Sequence, residues 1–430
     1  MNAWEEQEWQ STVHSGVPRR DRRSGPYCAY VPDGLVHAPL VLGREVEHLL
    51  AKAESAVRSL TGLSDDLPAI SRFLLRSEAI ASSRIEGIAP SARQVALAEL
   101  GQIESVQGIS APAQMVANNM TLVREATTRL VDSPLVTVES IIDLHRSLLR
   151  DEPHHHGLRT VQNWIGGSDW HPLDADFVPP PPDRVHEAMN DLVDYMNGAS
   201  HAPIVQAALV HAQFETVHPF TDGNGRVGRA LIHSVLTRRG LTPDSVLPVS
   251  LVLSTLRERY VEHLQQFRVE GSEGHGISGR EQWIAFFAEV TLLASEQAVR
   301  LSAEISEVRA EWEDRLSSAR QERGTQRALR SDSATALILA DLVGTPVLTV
   351  DTVQRIHGVS RVAAHRALDE LHAAEILSRR SIGAGRHAYV SGAVLDLITW
   401  AERRLASTRF DTRKAPPHPG VPAPPPSSQR

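Results

Sequence analysis

The chain has 430 residues, 41% hydrophobic and 22% charged, with a formal net charge of −8. This is the balance of a globular protein with room for about three units of ~150 residues, and its acidity excludes a global basic field that would draw the whole molecule onto nucleic acid or anionic lipid. A single cysteine, Cys28, excludes an intrachain disulfide or a thiolate metal cluster, and neither an apolar secretory core in the opening MNAWEEQEWQ nor a membrane-length apolar run is present, so a cytoplasmic protein without membrane contact is expected.

Residues 1–26 are polar, carry the basic run Arg19-Arg20-Asp21-Arg22-Arg23, and read as a disordered leader. Apolar residues at three- and four-residue spacing then predict helices over 43–60, 67–86, 113–130, 138–150, 184–197 and 204–217. Pro203 suits the first turn of the last of these, where its missing N–H costs nothing. His154-His155-His156 reads as a solvated loop, three adjacent histidines without acidic companions. The stretch 157–182, GLRTVQNWIGGSDWHPLDADFVPPPP, sets Gly166-Gly167 and Ser168-Asp169 between short extended runs and predicts a β-hairpin. Its four prolines, 179–182, cannot continue a central strand and must lie at a sheet edge or leave the sheet.

A helix over 225–239 ends at Gly240. The charged helical stretch 281–329 reads as a connector with packing faces. Residues 333–410 follow the order helix, short helix, turn, helix over 361–376, then a glycine-tipped hairpin near 378–387, which is the order of a winged helix-turn-helix module. Arg361, His365 and Arg366 on its second helix and Arg379, Arg380 and Arg386 in the hairpin form a local basic face compatible with DNA phosphates, although Asp369, Glu370 and Glu375 share the region. Residues 411–430 are proline-rich and read as a disordered tail.

The chemistry gathers in residues 218–229. A helix ends near Val217, another begins near Gly225, and Asp222-Gly223-Asn224-Gly225 lies between. The two glycines permit tight backbone and close approach of a ligand, and the N-terminus of the following helix supplies unpaired N–H groups to an anion. Arg226 and Arg229 share a helix face there, against the dipole, a conflict that an anionic ligand removes. Asp222 offers a hard oxygen to Mg²⁺, and His218 is positioned to act as a general base near neutral pH. One short loop thus holds the equipment for attack on a nucleotide phosphate.

The segment His218-Pro219-Phe220-Thr221-Asp222-Gly223-Asn224-Gly225-Arg226-Val227-Gly228-Arg229 matches the Fic signature H-x-F-x-[DE]-G-N-G-R-x-x-R at each position, and the resemblance extends over roughly 27–290. It implies a mainly α fold, a Fic-type helical bundle with a β-hairpin flap, followed here by the winged module. The corresponding divisions are 27–112, an N-terminal helical region; 113–290, the catalytic domain; 291–332, a connector; and 333–410, the winged domain. It also implies AMP transfer from ATP, with Mg²⁺, to a Ser, Thr or Tyr hydroxyl of a target protein. His218 would deprotonate the hydroxyl, Phe220 fix the loop and Asp222 hold Mg²⁺. Gly223, Asn224 and Gly225 would surround the α- and β-phosphates, Arg226 would bind the β/γ-phosphates and Arg229 the γ-phosphate, with Gly228 in the same nucleotide-binding segment.

Ser82-Ser83-Arg84-Ile85-Glu86-Gly87 resembles the family's inhibitory motif [ST]-x-x-x-E-[GN], so Ser82, Glu86 and Gly87 are implicated in holding Arg229 away from nucleotide. The region 159–182 resembles the flap, with Phe177, Val178, Pro179 and Pro180 as the edge that docks a target strand. Gly225 stands where kinase-like relatives carry lysine and favours AMP transfer, while UMP and phosphocholine transfer stay open. Also open are removal of AMP by the same glutamate, a homodimer, and a DNA-binding regulator whose Fic region senses nucleotide.

Overall fold

The computed structural model describes residues 3–13, 15–36, 38–60, 67–268, 278–324, 329–383 and 385–409. The tail read as disordered, 411–430, lies outside them. The leader is corrected. β1 (Ala3–Trp9) runs antiparallel to β2 (Gly25–Val31), with Trp4 opposite Tyr30 and Trp9 opposite Gly25. Two tryptophans supply what the polar letters hide. Trp4 packs edge-on against Tyr30 at 5.1 Å between centroids, and Trp9 against Trp164 at 5.3 Å, contacts worth more than their area alone.

The predicted helices follow as α1 (Arg44–Arg58), α2 (Leu67–Ile85), α4 (Ala111–Thr127), α6 (Val138–Leu148), α7 (Pro182–Asn197), α8 (Pro203–Val217) and α9 (Asn224–Arg238). Between and after them lie α3 (Ala92–Gly101), the single turn α5 (Arg129–Asp132), α10 (Val249–Thr255) and α11 (Arg257–Arg268), which periodicity did not single out. α3 starts with a capping box, Ser91 and Gln94 satisfying each other's backbone N–H groups. α8 is buried along its whole length, with its polar Gln206 and His211 hydrogen-bonded to the Tyr195 carbonyl and the Tyr260 hydroxyl. It packs between α7, α9 and α12 (Gly279–Glu322) and so carries its C-terminal end, His218, into the centre of the bundle.

α12 has 44 residues, about 66 Å at 1.5 Å per residue. It runs unbroken through the boundary expected at 290, so catalytic region and connector share one helix. Trp283, fully buried in it, donates its indole N–H to the Ala208 carbonyl of α8 at 2.7 Å. No helix of the described residues is long and apolar enough to cross a membrane.

The C-terminal elements are α13 (Ala334–Asp341), β3 (Val347–Leu348), α14 (Val350–His357), α15 (Arg361–Ala373), β4 (Ser378–Gly383), β5 (Arg386–Val390) and α16 (Gly392–Arg409). The sheet order is β3-β5-β4, all antiparallel. This unit rests on α2 and on the turn after α3. Arg72 pairs with Asp341 and Arg84 with Glu402. Arg76, 1% exposed, reaches Glu99 at 2.7 Å and the Gly344 carbonyl at 3.0 Å. Glu104 accepts from Thr349 at 2.8 Å, Thr352 at 2.6 Å and Arg386 at 3.2 Å.

Candidate active site

His218 caps α8 in the left-handed region, φ 49 and ψ 59, a strained conformation for a side-chain-bearing residue that surrounding contacts must impose. Two residues that sequence reading missed impose it. Arg159 donates from Nε to the His218 carbonyl at 2.9 Å and from its backbone N–H to the Pro219 carbonyl at 2.9 Å. Asn163 donates from Nδ2 to the carbonyls of His218 at 3.2 Å and Phe220 at 3.0 Å. Arg159 is buried, and burial lowers its pKa to about 10; it spends its other nitrogens on the carbonyls of Val161, Pro180 and Val217. Nothing in the sequence marks a lone arginine as a backbone clamp. Arg159→Met should lower stability by about 2–3 kcal/mol through orphaned buried carbonyls and reduce turnover. Denaturant melts beside kinetic assays check this, and a melt unchanged from wild type would contradict it.

Phe220 is fully buried and stacks on His145, rings 3.9 Å apart and 8° from parallel. His145, another residue missed, donates from Nε2 to the Asp222 carbonyl at 2.9 Å; the carbonyl can only accept, so the tautomer is set. Burial holds its pKa down to about 4, so the ring stays neutral. The Asn224 side chain is turned back onto its own loop. Its Oδ1 accepts from the Phe220 N–H and its Nδ2 donates to the Phe220 carbonyl, both at 2.8 Å. Asn224 therefore closes the loop, leaving the cradle to backbone.

Gly223, at φ 79, is the residue before α9, a backbone that glycine adopts without penalty. Asp222 accepts the Gly223 N–H on Oδ1 at 2.6 Å, and its Oδ2 lies 3.3 Å from Arg226 Nη2. Arg226 is 2% exposed, and its Nε and Nη1 are buried with no hydrogen-bond partner among the described residues. Burial lowers its pKa. Idle buried donors on a guanidinium are costly, and at the N-terminus of α9 an anion would satisfy them. The site therefore fits phosphate, and the half-exposed Asp222 carboxylate beside it fits a hard divalent cation.

Arg229, also 2% exposed, donates from Nη2 to Glu86 Oε1 at 2.7 Å and to the Ser82 carbonyl at 2.9 Å, and from Nε to Ser82 Oγ at 3.0 Å. Gly87, at φ 81, stops α2 so that Glu86 can reach across. Ser82 and Glu86 thus meet the arginine that the resemblance paired with them. Burial pushes the Glu86 carboxyl up, but Arg229 more than offsets this and the net pKa lies below the usual carboxylate value. Gly225 gains a second explanation. A Cβ there would collide with Glu86 Oε1 and come within 3.0 Å of Arg229 Nη1.

Gly228 sits elsewhere than expected. A Cβ on it would lie 2.5 Å from Glu215 Oε1 and 3.0 Å from Phe214 Cδ1, so it serves the close contact of α9 with α8 rather than a nucleotide. Burial raises the Glu215 carboxyl to about 7, against the pull of Arg229. For His218, burial first, then Arg268 and Arg159, lower the pKa to about 4, leaving a neutral imidazole able to accept a proton.

The expected β-hairpin over 159–182 is only two isolated bridges, Ile165 with Phe177 and Ser168 with His171. Prolines remove donors from one arm, and side chains take its carbonyls. Phe177, Val178, Pro179 and Pro180 are buried. The Val178 carbonyl accepts from the Tyr30 N–H at 2.9 Å, and those of Pro179 and Pro180 accept from Gln162 at 3.0 Å and Arg159 at 2.5 Å. The edge assigned to a target strand is thus covered by β2. The Arg268 guanidinium lies 3.7 Å above the Phe177 ring. Of the five arginines assigned to DNA, Arg361 pairs with Asp351 at 3.2 Å and Arg386 with the Ser105 carbonyl at 2.6 Å as well as Glu104, while Arg366, Arg379 and Arg380 are exposed.

A left-handed helix cap bearing a neutral histidine, a glycine-opened helix N-terminus and an under-bonded buried arginine together fit a phosphate anion beside a proton acceptor. Residues 135–236 match the Fic/DOC family. It is 30% identical over 184 residues to protein adenylyltransferase fic-1 of Caenorhabditis elegans, covering 39% of this chain and 34% of that one. It is 32% identical over 148 residues to protein adenylyltransferase Fic of Nematostella vectensis, covering 33% and 30%. The chain therefore spans about a third of the length of the curated relatives it matches. A Fic family protein from Desulfovibrio desulfuricans G20 aligns over 83% of this chain and 98% of its own, with 20% identity and a TM-score of 0.48.

Proposed function

We propose that this protein is an adenylyltransferase that moves AMP from ATP to a hydroxyl of a target polypeptide and that Glu86 restrains it. The observation that carries this reading is Arg226, buried with two idle donors at the N-terminus of α9, across one loop from the neutral His218. The target oxygen attacks the α-phosphorus and its proton passes to the His218 imidazole. The bond from the α-phosphorus to the bridging oxygen breaks, and pyrophosphate leaves. Backbone N–H groups around Gly223 and Gly225 and the guanidinium of Arg226 receive the phosphate charge as it shifts. Mg²⁺, held by Asp222, would neutralise phosphate oxygens.

Arg229 would meet the terminal phosphate, but Glu86 engages it at 2.7 Å, which supports a resting state that positions ATP poorly. The relatives named as adenylyltransferases support the choice of AMP, as does Gly225. The C-terminal unit, which we read as a winged helix, is a weaker nucleic-acid candidate because Arg361 and Arg386 are engaged within the chain. Peptide mass spectrometry after incubation with ATP and Mg²⁺ tests the proposal. An adenylyl group on a Ser, Thr or Tyr is expected, and a bare phosphate there would overturn it.

A further inference from the structure

A second group of ligating atoms lies at the rim of the loop, outside the machinery above. Pro153 opens a short 3-10 turn, Pro153–His155, after α6. Glu152, His154 and His155 each contribute one ligand atom, and these atoms lie within 4.8 Å of one another. This corrects the sequence reading of the histidines as lacking an acidic companion. Glu152 is that companion, brought round by the turn.

The turn is held in place. The His155 N–H donates to the Glu152 carbonyl at 3.0 Å, the His156 N–H to the Pro153 carbonyl at 3.2 Å, and His156 Nε2 to the Leu149 carbonyl at 2.7 Å. His156 is therefore an anchor, and His154 and His155 are the ligating pair. His155 Nδ1 is bonded to Thr221 Oγ1 at 2.7 Å. When the threonine oxygen accepts from Nδ1–H, Nε2 keeps its lone pair and faces Glu152 Oε2 at 3.8 Å. Two acceptors then face each other, an arrangement that a cation bridges. Fixing one imidazole nitrogen by a hydrogen bond so that the other can ligate is the usual outer-shell support of a metal site.

We propose that Glu152, His154 and His155 form a binding site for a borderline divalent transition ion, with zinc as the physiological class, separate from Asp222. Two imidazoles and a carboxylate suit zinc, nickel or cobalt, whereas Mg²⁺ takes oxygen sets. Thr221 precedes Asp222, so an ion here would stiffen the catalytic loop through His155.

The test is a Co²⁺ titration of the full chain followed by visible absorption, with Zn²⁺ displacement. His154→Ala, His155→Ala and Glu152→Gln should each weaken this component at least about tenfold, and excess Mg²⁺ should not displace it. All of these residues lie in a surface turn, and circular dichroism confirms that the variants are folded. Unaltered binding in His155→Ala, or displacement by Mg²⁺, overturns the site. So does a full chain that takes up no Co²⁺.

Discussion

Glu86→Gly should raise self-labelling from α-labelled ATP by about tenfold or more over wild type. Glu86 engages Arg229 at 2.7 Å, and Arg229 is buried while Glu86 is partly open to solvent. A pair of that kind contributes about 1 kcal/mol after solvent screening, and displacing it to seat a terminal phosphate costs at least as much. One tenfold step in rate corresponds to about 1.4 kcal/mol, so removing the competitor has an effect of that order or larger. Arg229 stays in position because Ser82 still accepts from its Nε and Nη2. The variant thus gains an arginine that is placed and available. Equal labelling of variant and wild type would contradict the restraint by Glu86.

His218→Ala in the Glu86→Gly background should lower transfer by about 10²- to 10⁴-fold, the range of a positioned general base. The same residue predicts a pH dependence. The working form is the deprotonated imidazole, and burial with nearby Arg268 and Arg159 lowers its pKa to about 4. Activity is therefore full above the ordinary histidine value of about 6.5 and stays full below it. It is lost only as pH falls through about 4. A rate profile with an acid limb centred near 6.5 would contradict this placement of the base.

What was legible in the sequence was whatever depends on local order. α8 and α9 were readable from apolar spacing, Pro203 and Gly240, and the loop between them from residue types at fixed spacing. Glu86 was legible because Gly87 marks a helix end and a carboxylate there calls for a cation. What was not legible was long-range backbone support. Arg159, Asn163 and His145 act on carbonyls up to 77 residues away, and their letters carry no trace of that partner.

The same limit explains the errors. Trp4 and Trp9 order β1 through Tyr30 and Trp164, far along the chain and hidden among Glu5, Glu6, Gln7 and Glu8. The proline run 179–182 forms no strand: it follows Val178, whose carbonyl accepts from Tyr30 of β2, and leads into α7 at Pro182. The docking of the C-terminal unit on α2 was equally invisible. Arg84, which pairs with Glu402, lies two residues before Glu86 on the same segment that reaches Arg229.

The most direct test of the central claim uses the Glu86→Gly protein with Mg²⁺ and ATP labelled at either the α- or the γ-phosphate. Stable protein-bound label from the α position alone, absent when His218 is also replaced, is the predicted result. Label carried from the γ position, or α-label that persists without His218, would contradict it.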